Sequence, residues 1–289
     1  MLPRMSRLIA PQGRWALSGF LAVALGATLA SSGITAAGAS TLAHHAGAPA
    51  SRPYVKLQPR GVAHPLRAGN LINHGGPVQN APRVYVVFWH WTSDPSGEQP
   101  YLTRFLSSIG GTSWLSTVNQ YGGGSASGLL AGTWSDSASI PNHPGDSAIQ
   151  AEAARAASHF GAGTSYNVQI VVATPTGHYT RGFGTQWCAY HGAVSSDPNI
   201  TYTNLPYMTD AGASCGEDSV SSTLDGVSIV EGHELAEAIT DPLLNAWYDS
   251  SGQEIGDKCA WINLHDISTS GGSFAVQPLW SNSAGGCVG

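Results

Sequence analysis

Val84-Tyr-Val-Val-Phe-Trp-His-Trp91 is a continuous run of β-branched and aromatic residues, the pattern of a central strand. Working outward toward the C-terminus, Ser96–Ile109 places Tyr101, Leu102, Phe105, Leu106 and Ile109 at helical spacing. Trp114, Leu115 and Val118 mark a short second helix that stops at Gly122-Gly123-Gly124. Leu129–Trp134 reads as another strand, and Ser147–His159 as an alanine-rich helix capped by Asp146 or Ser147. Val168–Ala173 is a second buried strand. Glycine-punctuated strands and loops fill the stretch to Ser222, and a helix spans Asp225–Thr240. The order predicts an α+β (mixed α/β) fold, a mixed sheet with helices packed on it, in a single domain over residues 68–289.

Toward the N-terminus, Met1–Arg14 carries three arginines and no acid, Ala16–Ala30 is apolar or small, and Ala37-Gly38-Ala39 closes the segment. That layout predicts a secretory signal over residues 1–39, cleaved after Ala39. The apolar run, about 15 residues, is shorter than the roughly 20 needed to span a bilayer. Residues 40–67, rich in Ala, Pro, His and Arg, read as a flexible leader or propeptide, and His44-His45 as merely solvated.

Twelve Lys and Arg face 18 Asp and Glu; without the three signal arginines, nine remain and the net charge is −9. Charged residues are 10% of the chain, against roughly 25% in ordinary soluble domains. With no basic patch to displace counterions, nucleic-acid binding through phosphates is excluded. The balance of charge and hydropathy also excludes a disordered chain. No later apolar stretch is long enough to span a membrane, so a soluble extracellular monomer is expected. Four cysteines, Cys188, Cys215, Cys259 and Cys287, fit two disulfides in an exported protein. The absence of Cys-x-x-Cys excludes a zinc ribbon. Sequential pairing, Cys188–Cys215 and Cys259–Cys287, closes the shortest loops.

The helix Asp225–Thr240 carries the chemistry. Asp241-Pro242 ends it, because proline disfavours helical geometry in the residue before it. His233 and Glu237 are four residues apart and share a face, with Glu234 beside them. This is the His-Glu-x-x-His arrangement of zinc peptidases with glutamate in place of the second histidine. A carboxylate oxygen ligates Zn²⁺ about as closely as imidazole does. Glu234 is then the candidate catalytic base for a metal-bound water. Asp257, 20 residues after Glu237, is the candidate third ligand, at an offset like that of thermolysin-like peptidases. His191 and His265 are weaker candidates, and for Asp241 a helix-stop role suffices. In a chain with only 18 acids, Glu231, Glu234, Glu237 and Asp241 crowd one helix, where like charges repel. A bound cation, Zn²⁺ or alternatively Ca²⁺, resolves that repulsion.

Other motifs are discounted. Gly212-Ala-Ser-Cys-Gly216 has the nucleophile-elbow pattern, but lacks the strand before it and the helix after it, and Cys215 is expected in a disulfide. Gly145-Asp-Ser147 is explained as a helix cap, and Gly111-Thr-Ser113 lacks the context of a peptidase serine. Asn199-Ile-Thr201 is a glycosylation acceptor only in a host that glycosylates. The many Trp and Tyr suit core packing before a sugar platform.

Several blocks, in order, resemble the phosphate-induced protein/EXORDIUM family, extracellular plant proteins with bacterial relatives. They are His74-Gly-Gly-Pro-Val78 leading into Val84-Tyr-Val-Val-Phe-Trp89, Cys188-Ala-Tyr-His-Gly192, and His233-Glu-Leu-Ala-Glu237. Asn245-Ala-Trp-Tyr248, Glu254-Ile-Gly-Asp-Lys-Cys259 and Cys287-Val-Gly289 follow. The resemblance runs from about residue 70 to the end and is weakest over residues 193–224. It implies secretion, a wall-like location, a role tied to growth and nutrient status rather than a firmly assigned reaction, and retention of His233, Glu234, Glu237 and Asp257 together. The expected function is a secreted zinc hydrolase, a peptidase by preference, acting on a peptide or cell-wall polymer, with the helix at a cleft as in zincin folds. The alternative is a non-catalytic extracellular or wall-associated protein in which the same helix is structural or holds a metal.

Overall fold

The computed structural model describes residues 56–62 and 69–289. The expected signal segment 1–39 lies outside the described residues, as does the leader apart from 56–62. Ile72–Asn73 (β1) precedes the run that starts at Val84, which forms β2 at Arg83–Trp89. β2 ends at His90, whose φ of 59° breaks the strand, so the expected extension to Trp91 is lost. α1 spans Glu98–Ser108, and the expected second helix is a 3₁₀ segment, Leu115–Tyr121, stopped by left-handed Gly122. β3 (Leu130–Asp136), α2 (Asp146–Phe160) and β4 (Val168–Ala173) follow. The stretch without a clear period holds β5 (Tyr190–Val194), β6 (Asp197–Leu205) and a 3₁₀ segment at Met208–Cys215. α3 is Asp225–Thr240, and β7 (Trp247–Tyr248) with a 3₁₀ turn at Asp257–Cys259 comes after it. Two hairpins close the chain, β8 (His265–Thr269) with β9 (Gly272–Val276), and β10 (Leu279–Ser281) with β11 (Gly286–Val288).

The main sheet has the order β3-β2-β4-β6-β5. β2 pairs in parallel with β3 and β4, and β4 with β6; β5 is the antiparallel edge. This is the α+β arrangement the sequence predicts. The crossover through α1 steps one way along the sheet and the crossover through α2 steps the other way. Right-handed connections therefore put the two helices on opposite faces. β2 and β4 are buried along nearly their whole length, as strands covered on both sides are.

α3 lies on the α1 side. It meets α1, β5, β6, β9 and the Met208–Cys215 segment, and all its residues are buried. Its entry is fixed by a close approach: a Cβ on Gly226 would stand 2.2 Å from the Cys215 carbonyl oxygen. The disulfides pair sequentially, Cys188–Cys215 and Cys259–Cys287, with Cα separations of 5.5 and 5.8 Å.

Two local expectations change. No side chain caps α2: Gly145 is its N-cap, and Asp146 instead accepts from Tyr190, Tyr202 and Gln150. The residues around Asp249–Gly252 do turn, with Asp249 N–H donating to the Gln253 carbonyl. Trp247-Tyr248 and Glu254-Ile255, flanking Asp249-Ser-Ser-Gly252, read from the sequence as a hairpin, but Trp247–Tyr248 pairs with Ile72–Asn73 instead, because the returning chain enters the 3₁₀ turn at Asp257.

Candidate metal centre

The i, i+4 spacing within α3 brings His233 Nε2 to 3.0 Å from Glu237 Oε1. The loop after β7 carries Asp257 back over the same face, where its Oδ1 stands 3.8 Å from His233 Nε2. Two ligand atoms at about 2.0–2.1 Å from a tetrahedral ion are about 3.3 Å apart, so the His233–Glu237 pair is close to that spacing and Asp257 would have to close in by about half an ångström to share the cation. Neither ring nitrogen of His233 makes a hydrogen bond. The 3.0 Å approach is thus close without the alignment of an N–H donor, as when two lone pairs converge on a third atom.

Several contacts hold the loop at residues 254–257. The Glu254 amide donates to Asp257 Oδ2, the Asp257 amide to Glu237 Oε1, and the Gln277 side chain to the Gly256 carbonyl. Lys258 Nζ is 3.1 Å from Asp249 and 4.2 Å from the Trp280 ring centroid. Gly256 itself presses on His233: a Cβ there would lie 2.7 Å from Nδ1 and 2.8 Å from Cγ. The block Glu254-Ile-Gly-Asp257 therefore both delivers carboxylates and fixes the imidazole.

β5 contributes a second histidine. His191 Nδ1 is 3.2 Å from Glu234 Oε2 and 3.7 Å from Glu237 Oε2, while Nε2 is 3.7 Å from Glu254 Oε1 and 3.3 Å from the Asp241 carbonyl. Ligand atoms of two triads, His233–Glu237–Asp257 and His191–Glu237–Glu254, each lie within 4.8 Å of one another. Glu254 carries no periodic signal in the sequence, since it sits in a loop, and His191 is one of the two histidines that rank below Asp257 on sequence grounds. His265, the other, joins neither triad and contacts the Asn263 carbonyl. Asp241 serves the stop, its Oδ1 accepting the amides of Asn245 and Ala246. Ser214 donates to the carbonyls of Gly184 and Ala211 beside the Cys215 disulfide, which suits a structural hydroxyl.

Burial shapes the electrostatics. His191, His233, Glu231, Glu234, Glu237 and Glu254 are fully buried, and Asp257 is 4% exposed. Burial alone pushes His191 down, but Glu254, Glu234 and Asp241 outweigh it and hold the imidazole at about 9. Burial, with Glu234 adding to it, drives Glu231 well above the carboxylate range, and neither of its oxygens has a hydrogen-bond partner. Charges so removed from water are sustained only by close compensation. The donor set of imidazole and carboxylate in each triad suits Zn²⁺ or a related divalent transition ion better than an all-oxygen Ca²⁺ cage.

No family model matches the chain, and no solved structure matches it. Among curated proteins it is similar to Protein EXORDIUM-like 5 of Arabidopsis thaliana. The two are 26% identical over 292 residues, covering 77% of this chain and 79% of that protein. That similarity supports the EXORDIUM-like resemblance carried by the motifs.

Proposed function

We propose that this is a non-catalytic extracellular protein whose interior is locked by a divalent metal held by His233, Glu237 and Asp257. One observation carries the proposal: every candidate ligand is 4% exposed or less. A hydrolytic zinc keeps a coordination position open to water and substrate, whereas a structural one is closed. Secretion is supported by the two disulfides, which fit an oxidising compartment. No helix among the described residues is long and apolar enough to cross a membrane. A cell-wall polymer would then be met on the exterior, where the His74–Tyr248 and Trp134–His159 ring stacks lie partly exposed.

The second reading, a zinc peptidase with Glu234 as base, is favoured by the convergence of His233, Glu237 and Asp257 and by the adjacency of Glu234. Against it, Glu234 Oε2 already faces His191 Nδ1, the role of a carboxylate that orients a histidine.

Elemental analysis and calorimetry of the purified protein separate the two. A stoichiometric divalent metal is expected, with chelation lowering the melting temperature by roughly 10 °C, as for a ligand bound well below its working concentration. Peptide libraries should remain uncut. Metal-dependent cleavage abolished by Glu234→Gln would instead establish the hydrolase, and metal-free protein with an unchanged melting temperature would remove both.

A further inference from the structure

We propose that the interior holds two divalent transition-metal ions bridged by Glu237, one completed by His233 and Asp257, the other by His191 and Glu254. This rests on the structural-metal reading above and extends it from one ion to a pair. The two oxygens of Glu237 face different partners. Oε1 is 3.0 Å from His233 Nε2, whereas Oε2 is 3.7 Å from His191 Nδ1. A carboxylate that turns one oxygen to each of two imidazoles from different elements, α3 and β5, has the disposition of a bridge. Each half has its own second carboxylate, Asp257 Oδ1 at 3.8 Å from His233 and Glu254 Oε1 at 3.7 Å from His191 Nε2. The two sets share only Glu237.

The ratio of donors supports the pair: the carboxylates of Glu234, Glu237, Glu254 and Asp257 meet only two imidazoles in a buried interior, a surplus of acidic donors that two divalent ions would compensate more fully than one. The polar atoms point the same way. Both His233 ring nitrogens and Glu234 Oε1 are fully buried without a hydrogen-bond partner. A network held by protons alone would align those atoms as donors and acceptors. Glu237 Oε2 and Glu254 Oε1 stand nearest different nitrogens of the His191 ring, and one ligand atom from each of the three residues lies within 4.8 Å of the others; the ring would supply one of its nitrogens to the ion.

The test uses the full chain, purified as secreted, stripped with chelator and reloaded with Zn²⁺ alone or Mn²⁺ alone. Elemental analysis should give two Zn²⁺ per chain, falling to one in both His191→Ala/Glu254→Gln and His233→Ala/Asp257→Asn. Mn²⁺-loaded protein should show an exchange-coupled paramagnetic resonance spectrum, which needs no variant and so survives a failure of either double mutant to fold. One Zn²⁺ in the unaltered chain, unchanged in His191→Ala/Glu254→Gln, would overturn the pair and leave the structural-metal reading standing. Two Mn²⁺ with uncoupled spectra would overturn the bridge. No bound metal would overturn both the pair and the reading beneath it.

Discussion

At position 256 a hydrogen atom separates a working site from a clash. The Gly256 backbone is helical, φ −81° and ψ −44°, so glycine is required by the His233 ring against it rather than by its own torsions. Gly256→Ala inserts a methyl group 2.7–2.9 Å from three atoms of that ring. The ring or the loop must move, and overpacking of this kind costs about 1–3 kcal/mol. The expected outcome is a folded protein with lower urea resistance and weaker metal retention under chelator competition; unchanged retention would show that His233 is not a ligand. Glu98 carries the second residue-scale prediction. Burial, with nearby Asp94 adding to it, raises its carboxyl to about 7 against the Met208 and Thr209 amides and the Thr209 hydroxyl, which pull it down. Its ordinary value is 4.5, so the folded state takes up a proton before the unfolded state does. The contribution is fully present below pH 4.5 and is lost as pH rises through 7. The displacement corresponds to about 3 kcal/mol. Urea unfolding at pH 5 and pH 8 should show Glu98→Gln losing most of that difference relative to the parent, and parallel pH profiles would refute it.

At the scale of elements, α3 was legible to the residue, because Asp225 opens it and Asp241-Pro242 closes it. Its burial was not legible. Glutamates and a histidine at helical spacing look like a solvated face until the neighbours that cover them are known, and here β5, β9 and α1 cover every side. β5 escaped notice for a different reason. It is a short antiparallel edge whose residues follow no strict alternation, so His191 gained its place only through register, opposite Thr203 of β6. Glu254 lies on a loop, where spacing predicts no direction at all. Composition was a poor guide to residues 56–62 as well. Leu57 is fully buried, donates its amide to the Ala189 carbonyl and accepts from the Cys188 amide. Gln58 accepts from the Trp261 indole. These few residues thus strap the start of the His191 strand. Leu57→Ala should cost about 2–4 kcal/mol, read as a shift in the urea midpoint without change in slope; a shift below about 0.5 kcal/mol, the usual surface value, would mean the strap is not docked in solution.

At the scale of the molecule, each disulfide lies close in sequence to a candidate ligand that does not come from α3. Cys188 is three residues before His191, and Cys259 is two after Asp257. The helix supplies His233 and Glu237 from a rigid frame, while β5 and the loop at 254–257 must be brought to it across long stretches of chain. Closing loops 27 and 28 residues apart in sequence restricts the unfolded chain by about 3–4 kcal/mol per bridge in the entropic picture. Here the bridges have a second effect, because they also limit how far the carriers of His191 and Asp257 can retreat from α3. Metal and disulfides should therefore be coupled rather than additive. Removing either alone leaves the other holding the same segments near α3, and removing both frees them. The measurement is a thermodynamic cycle of melting curves, with and without chelator and with and without reductant. We expect the combined loss to exceed the sum of the separate losses by at least about 1 kcal/mol, in the range seen when residues share one network. Additive losses would place the staples and the metal in independent parts of the fold. They would also leave the sparse charge of this chain, concentrated on one buried helix, without the covalent frame that the sequence order of its cysteines implies.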